Sequence, residues 1–483
     1  MQRLAVQRVL GLLLMLFSFT MLPPAAVGLF YGDGAIMPFI DAFALTIGSG
    51  VLLWWPARKF RAEMRLRDGF LVVALMWTVL GLFGAIPLVL GTQPQLDIAG
   101  AIFESVSGLT TTGGTVIVGI DKLPHSILYY RMQLHFLGGM GIIVLAVAIL
   151  PMLGIGGMQM FRAETPGPMK DSKLTPRITE TAKSLWYIYL GLTAVCALAY
   201  WLAGMSLFDA IMHAFSVVST GGFSTHDDSI MYFKSATIEW ITVFFMFVGA
   251  LNFATHFMAW RQWSLRTYWQ DSELRAFFLL LFLASAIVGV ALLQFGTYAD
   301  PMTSLRHTTF TVVSMATSTG LTVAPHWEWP SFIPILMLLL SFIGGCAGST
   351  SGGMKVVRVM LLLQQGMREV TRLIHPSAQI PVRVGGRVVS DRVIEAVWGF
   401  FSLYVASYII LSLLVTATGL DLVTAFSAVA ACMNNVGPGL AGVGATFANI
   451  SDAAQLLLSF AMLLGRLEVF TILVLFSPRF WRH

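Results

Sequence analysis

Long apolar runs separated by short basic clusters dominate this 483-residue chain. Two runs, roughly residues 9–30 and 36–56, lie between Arg8 and Arg58. Each is long enough to cross a bilayer as a helix, which takes about 20 residues. Basic clusters fall at Arg3 and Arg8, at Arg58, Lys59, Arg61, Arg65 and Arg67, and at Arg162, Lys170, Lys173, Arg177 and Lys183. They recur at Arg261, Arg266 and Arg275, at Lys355, Arg358, Arg368, Arg372, Arg383, Arg387 and Arg392, and at Arg479 and Arg482. Only Lys122, Arg131, Lys234, Arg306 and Arg466 lie between clusters. Basic loops stay on the cytoplasmic side. The chain must therefore cross an even number of times between neighbouring clusters, with its N-terminus cytoplasmic.

Each of the four intervals after Arg67 holds three apolar segments; in the first they are about 70–91, 98–109 and 132–153. Three crossings would break the parity, and the middle segment is too short to span. It ends in Thr, Ser and Gly rather than in a basic loop. The expected unit is a spanning helix, a short re-entrant helix, a loop, and a second spanning helix. The loops read Thr110-Thr111-Thr112-Gly113-Gly114, Ser219-Thr220-Gly221-Gly222-Phe223, Thr317-Ser318-Thr319-Gly320-Leu321 and Asn434-Asn435-Val436-Gly437-Pro438-Gly439. Aligned on Gly113, Gly221, Gly320 and Gly437, they recur at intervals of 108, 99 and 117 residues. A unit recurring at this spacing marks internal symmetry, and one shared orientation makes the repeats parallel about an axis normal to the membrane. The expected fold is an all-α polytopic membrane protein with ten spanning and four re-entrant helices. An N-terminal helix pair (1–66) precedes repeats at 67–160, 161–260, 261–364 and 365–483.

Composition agrees. Hydrophobic residues make up 57% of the chain and charged residues 11%, and mean hydropathy is +0.79. A soluble surface of this size needs far more charge. The net charge of +5 resides in short loops and does not point to nucleic acid. Cys196, Cys346 and Cys432 stand singly, which excludes a disulfide framework and a CxxC metal knuckle. Arg3 and Arg8 before residues 9–21 and Pro23-Pro24-Ala25-Ala26 have the form of a signal peptide. The apolar character continues to Phe30, so a retained first helix is expected.

The four loops carry the candidate chemistry. Irregular backbone cannot face lipid, because each unpaired N–H or C=O there costs several kcal/mol; four such segments must line a cavity. Gly lets successive carbonyls point one way, and Ser or Thr hydroxyls add oxygen ligands. Rings of carbonyl oxygens replace the hydration shell of a monovalent cation. No loop contains a carboxylate, which argues against a divalent ion. The short helices aim their negative C-terminal ends inward. The candidate cation ligands are the main-chain carbonyls of Thr111, Thr112, Gly113, Ser219, Thr220, Gly221, Ser318, Thr319, Gly320, Asn435, Val436 and Gly437. The bland reading, close packing through small residues, explains one such loop better than four.

These loops, Ala214-Phe215-Ser216-Val217-Val218-Ser219-Thr220-Gly221-Gly222-Phe223-Ser224-Thr225-His226 above all, resemble the filters of the Trk/Ktr/HKT superfamily of cation transporters. The extra N-terminal helix pair and Leu464-Gly465-Arg466-Leu467-Glu468-Val469-Phe470 are similar to its TrkH-type potassium uptake subunits. The resemblance spans essentially the whole chain. It implies potassium passing through a filter built by one chain, a homodimer with one pore per subunit, and a cytoplasmic nucleotide-binding regulatory ring of TrkA type in a bacterial inner membrane. In this superfamily Gly at the leading filter position goes with potassium and Ser with sodium; here all four positions are Gly. The fourth loop lacks the Thr of the others.

A second feature lies below the third loop. In the helix expected over 330–364, Gly344-Gly345-Cys346-Ala347-Gly348-Ser349-Thr350-Ser351-Gly352-Gly353 is poor in helix formers and should unwind at mid-membrane. With Arg466, a charge inside an apolar segment that should face a cavity, it forms a candidate gate: Gly344, Gly345, Gly348, Ser349, Thr350, Ser351, Gly352, Gly353 and Arg466. Gly437 to Gly442 spells GxGxxG, but Pro438 and the lack of a preceding strand exclude a dinucleotide site. Residues 348–355 are a broken P-loop pattern. No HExxH or GxSxG supports an enzyme, and His213, His256 and His307 read as packing residues. The rival transport reading, a sodium- or proton-coupled symporter, calls for inverted repeats or paired mid-membrane carboxylates, and neither is visible.

Overall fold

The computed structural model describes residues 2–60, 66–141 and 178–481. The expected cytoplasmic segment 158–182 and the far half of the helix at 132–153 lie mostly outside the described residues, as do Arg61, Arg65 and Arg482.

The described residues are mostly helical, and the strands among them form one two-residue-per-strand hairpin pairing Arg383 with Val388 and Val384 with Arg387. Among the described residues, six helical stretches are long and apolar enough to span a membrane: Arg3–Tyr31, Ile36–Ala57, Arg67–Leu90, Lys183–Leu202, Ser272–Gln294 and Asp391–Thr416. The first two pack closely because Gly11 and Gly50 face each other's backbone, with no room for a Cβ. The span Ser272–Gln294 exposes Phe278, Leu279, Phe282, Ile287 and Val290. Such a surface is stable only against lipid or protein.

After four of these spans comes a short helix: Ile98–Leu109, Leu207–Val218, Pro301–Ala316 and Leu422–Met433. Each begins at a polar N-cap that satisfies otherwise orphaned N–H groups. Asp97 accepts from Gly100 N, Ser206 from Asp209 N, Asp300 from Met302 and Thr303 N, and Asp421 from Thr424 N. The N-capped ends of the four short helices make up the entry face, and their C-terminal ends lead into the four loops.

Among the described residues the second helices of the second, third and fourth repeats are interrupted, and that of the first, whose far half lies outside the described residues, carries a π turn. In the first repeat the helix His125–Phe136 passes into a π turn at Leu137–Gly141. In the second, Ala236–Gly249 and Phe253–Gln262 meet at 95°; in the fourth, Asp452–Arg466 and Phe470–Phe476 meet at 114°. In the third, the helix Ile333–Ile343 stops at Gly344 and resumes only at Val356, as the Gly/Ser/Thr run predicts.

Candidate ion pathway and gate

The four loops share one backbone pattern. The second residue after each short helix is left-handed although it is not glycine: Thr111 (φ 53°), Thr220 (52°), Ser318 (53°) and Asn435 (52°). Its N–H bonds the carbonyl three residues back, at 3.1, 3.0, 3.2 and 3.2 Å respectively. The next N–H reaches five residues back: Thr112 to Ser107 (2.9 Å), Gly221 to Ser216 (2.7 Å), Thr319 to Ser314 (2.8 Å) and Val436 to Ala431 (2.9 Å). These two bonds define a Schellman helix end, in which the left-handed residue is usually Gly. A side chain there costs about 1–2 kcal/mol, incurred four times at matching positions.

Glycine follows two positions later, with φ of 80° at Gly113, 92° at Gly222, 75° at Gly320 and 85° at Gly437. This places the second loop one residue beyond the expected register. Gly222, not Gly221, matches the other three glycines, and Gly221 matches Thr112, Thr319 and Val436. Ser219 matches Thr110, Thr317 and Asn434, the residues capping each short helix. The slip arose because Gly221 and Gly222 are adjacent and only backbone conformation distinguishes them.

The glycines close a ring. A Cβ on Gly113 would overlap the carbonyl oxygen of Gly221, one on Gly222 that of Thr319, and one on Gly320 that of Val436. A Cβ on Gly437 would lie 2.8 Å from the carbonyl oxygen of Thr112. Each repeat's glycine therefore abuts the carbonyl of the next repeat, and the fourth returns to the first. Among the described residues no group of three or more His, Cys, Asp or Glu side chains could hold a metal ion. The oxygen atoms converging here are main-chain carbonyls.

Directly beneath lies the interrupted segment of the third repeat. Gly352 N donates to Ser318 Oγ (2.6 Å), and Ser351 Oγ lies 3.0 Å from the same hydroxyl. Thr350 Oγ1 bonds the carbonyls of Val218 (3.1 Å) and Gly249 (3.0 Å) and receives Thr220 Oγ1 at 3.3 Å. Cys346 N bonds Ala250 O (2.9 Å), and Phe253 N bonds Gly348 O (3.1 Å). The segment thus supplies partners to the bent helix of the second repeat, as backbone at membrane depth requires. Gly352 is pressed so closely to Asn434 O that a Cβ would overlap it.

Arg466 joins the same assembly. Its Nη1 donates to Thr350 O (2.9 Å) and its Nη2 to Gly138 O (2.8 Å) in the π turn of the first repeat. Glu468 instead pairs with Arg358 (2.5 Å).

Several residues here were not singled out from sequence. Glu273 Oε1 accepts from both Ala347 N (2.8 Å) and Val357 N (3.0 Å), bracketing the segment. Lys355, itself left-handed at φ 79°, donates to Ser351 O. Arg131 and Glu104 form an ion pair at 2.7 Å with side chains 1% and 0% exposed; Arg306 and Glu239 form another at 2.7 Å. The available signal was charge outside the basic clusters, which Arg131 and Arg306 share with Arg466. The histidines have polar partners: His213 with Ser224 Oγ (2.9 Å), His256 with Tyr268 Oη (2.9 Å) and His307 with Tyr298 Oη (3.3 Å).

On the entry face His226 ties the first two repeats together. Its Nδ1 meets Asp121 Oδ1 at 2.5 Å, and its Nε2 lies 3.6 Å from Asp209 Oδ1. Partial burial alone would lower the imidazole, but the two carboxylates outweigh it and hold His226 above its ordinary value.

A family profile named TrkH and described as a cation transport protein matches residues 35–483. The chain is similar to the Trk system potassium uptake protein TrkH of Halomonas elongata, with 55% identity over 479 residues covering 99% of each chain. To the protein of the same name from Escherichia coli K12 it is 51% identical over 479 residues, again 99% of each. A crystal structure titled as the potassium transporter TrkH from Vibrio parahaemolyticus superposes with a TM-score of 0.91 at 50% identity, covering 100% of both chains.

Proposed function

The chain belongs to the TrkH family of cation transport proteins, and from that premise we propose that it passes potassium inward across the bacterial cytoplasmic membrane through the ring of loops. The observation that carries this reading is the cyclic approach of each filter glycine to the next repeat's carbonyl. Four such loops in register offer stacked rings of carbonyl oxygens, a ligand set suited to a dehydrated monovalent cation. The filter set is Thr111, Thr112 and Gly113; Thr220, Gly221 and Gly222; Ser318, Thr319 and Gly320; and Asn435, Val436 and Gly437, each flanked by the negative end of a short helix. Both named relatives are potassium uptake proteins.

The segment 344–353 acts as the gate, with Arg466 as its closed-state latch. It lies under the ring, bonded to three of the four repeats, and its Gly, Ser and Thr residues give it the freest backbone of any segment at that depth. The relatives are named as parts of a Trk system, which favours a separate regulatory component. We assign that role to a cytoplasmic nucleotide-binding ring of TrkA type, acting on a homodimer whose N-termini are cytoplasmic. The helix Val356–Ile374, emerging from the gate, is the natural lever.

Purified protein in liposomes tests the reading. Potassium should enter down an imposed gradient, blocked when the protein is heat-inactivated. Liposomes tight to potassium but not to sodium would overturn it.

A further inference from the structure

We propose that Glu104 and Arg131 are a positioning pair that sets potassium selectivity by fixing the seam between the first and second filter loops. The inference rests on the filter reading. Glu104 sits on the short helix Ile98–Leu109 and Arg131 on the helix His125–Phe136, both fully buried. Neither reaches the carbonyl ring. Both instead hold the strands of chain that leave it.

The carboxylate accepts Arg131 Nε at 2.7 Å, Thr115 Oγ1 at 3.0 Å and Val116 N at 3.1 Å. The guanidinium gives Nη2 to Thr115 Oγ1 (3.2 Å) and Nη1 to Ser224 O (3.2 Å), with its plane centred 4.2 Å from the Phe223 ring. Thr115 lies two residues beyond Gly113 and Ser224 two beyond Gly222, so one ion pair grips the exits of adjacent loops. His135, one turn along from Arg131, completes the support. Its Nε2 accepts from Phe223 N (3.1 Å), its Nδ1 donates to Gly108 O (2.7 Å), and its ring stacks on Phe223 at 4.2 Å.

The other three repeats carry no carboxylate at the position that matches Glu104. The residues matching Glu104 in the other repeats are His213, Thr311 and Ala428. His213 holds Ser224 Oγ from the other side, the Thr311 hydroxyl is buried without a hydrogen-bond partner, and Ala428 has no polar side chain. Removing two charges from water is costly, and a buried pair is weak evidence for stability alone. The planar fork of Arg, which here reaches three acceptors on two repeats, does what a Lys point charge cannot. Relaxing the grip lets the carbonyls of Thr112 and Gly221 separate, which favours no ion size in particular and so erodes discrimination before conduction.

The test uses full-length protein in liposomes and reads reversal potential in mixed potassium and sodium, alongside maximal flux. Arg131→Lys keeps the charge and loses the fork. The double variant Glu104→Gln/Arg131→Met removes both charges together and leaves none stranded. Thr115→Val is isosteric and neutral, and carries the test where the charged variants do not accumulate. Each should lower the potassium-to-sodium permeability ratio several-fold while flux persists; a merely structural role predicts less folded protein with an unchanged ratio. Gly113→Ser serves as the control. If it shifts the ratio and the three variants do not, the positioning role is overturned and the filter stands. If Gly113→Ser also leaves the ratio unchanged, the filter reading falls and this inference with it.

Discussion

The guanidinium of Arg466 donates to the carbonyl oxygen of Thr350 across 2.9 Å, joining the fourth repeat to the interrupted segment of the third. Its second bond, to Gly138 O, reaches the first repeat. One side chain thus spans the space beneath the carbonyl ring. In the proposed gate, a fixed positive charge there would oppose cation entry, and its bonds would hold the segment across the path. Charge-assisted hydrogen bonds contribute about 1.5–3 kcal/mol each. Arg466→Ala should therefore raise potassium flux without any partner by at least about tenfold, since 1.4 kcal/mol is a factor of ten. Proteoliposome uptake measures this, and unchanged flux in a folded variant leaves Arg466 a purely structural role.

The segment itself makes a second prediction. Gly352 is packed against Asn434 O and Gly345 lies 2.8 Å, by its absent Cβ, from Ala250 O. Alanine at either position does not fit the observed packing, and deletion of residues 345–351 removes the segment altogether. These variants should conduct without a regulator. If they stay closed while folded and dimeric, the segment packs helices and does not gate.

The four loops were legible in the sequence because Gly, Ser and Thr at membrane depth have few other uses. So was the break at Gly344, where ten residues are poor in helix formers. The one-residue slip at Gly221 and Gly222 was not, because composition is blind to which of two adjacent glycines takes positive φ. The bends at 250–252 and 467–469 carry neither Pro nor Gly. They depend on tertiary partners: at the first, Ala250 O accepts from Cys346 N (2.9 Å) and Phe253 N donates to Gly348 O (3.1 Å), and no local pattern predicts contacts with a segment nearly a hundred residues away. Glu104 and Arg131 are 27 residues apart, and only the fold brings them together.

The hairpin at 383–388 gives a third prediction. Val382 and Val384 are buried against Val357, Leu361, Ile394 and Val397, so the hairpin is packed directly on the helix Val356–Ile374 that leaves the proposed gate. Deleting residues 376–388 should abolish co-purification with a TrkA-type ring while leaving the potassium-to-sodium permeability ratio unchanged. Retained co-purification assigns the docking surface elsewhere.

His226 gives a pH dependence. Its pKa is raised in the folded state, so its contribution is fully present below the unfolded value, about 6.5, and is lost as pH rises through the folded pKa. Asp121 is lowered despite burial, by hydrogen bonds from His226 and Asp227, and its contribution is lost only in acid, as pH falls through its folded pKa. The effect is small, at the lower end of the range of about 0–1 kcal/mol for exposed pairs. Wild-type protein in detergent should melt above His226→Gln at pH 6, and the gap should narrow at pH 9. A gap independent of pH contradicts the assignment.

The reversal potential of Gly222→Ser in mixed potassium and sodium tests the filter most directly. Gly222 holds φ 92°, and an added Cβ would overlap the carbonyl oxygen of Thr319, so the variant must displace one wall of the ring while leaving gate and surface untouched. The account predicts a potassium-selective wild type and a variant whose reversal potential moves toward the sodium equilibrium potential, with a permeability ratio about tenfold lower, equivalent to about 1.4 kcal/mol. A variant that conducts with the wild-type reversal potential would contradict the assignment of these loops as the filter.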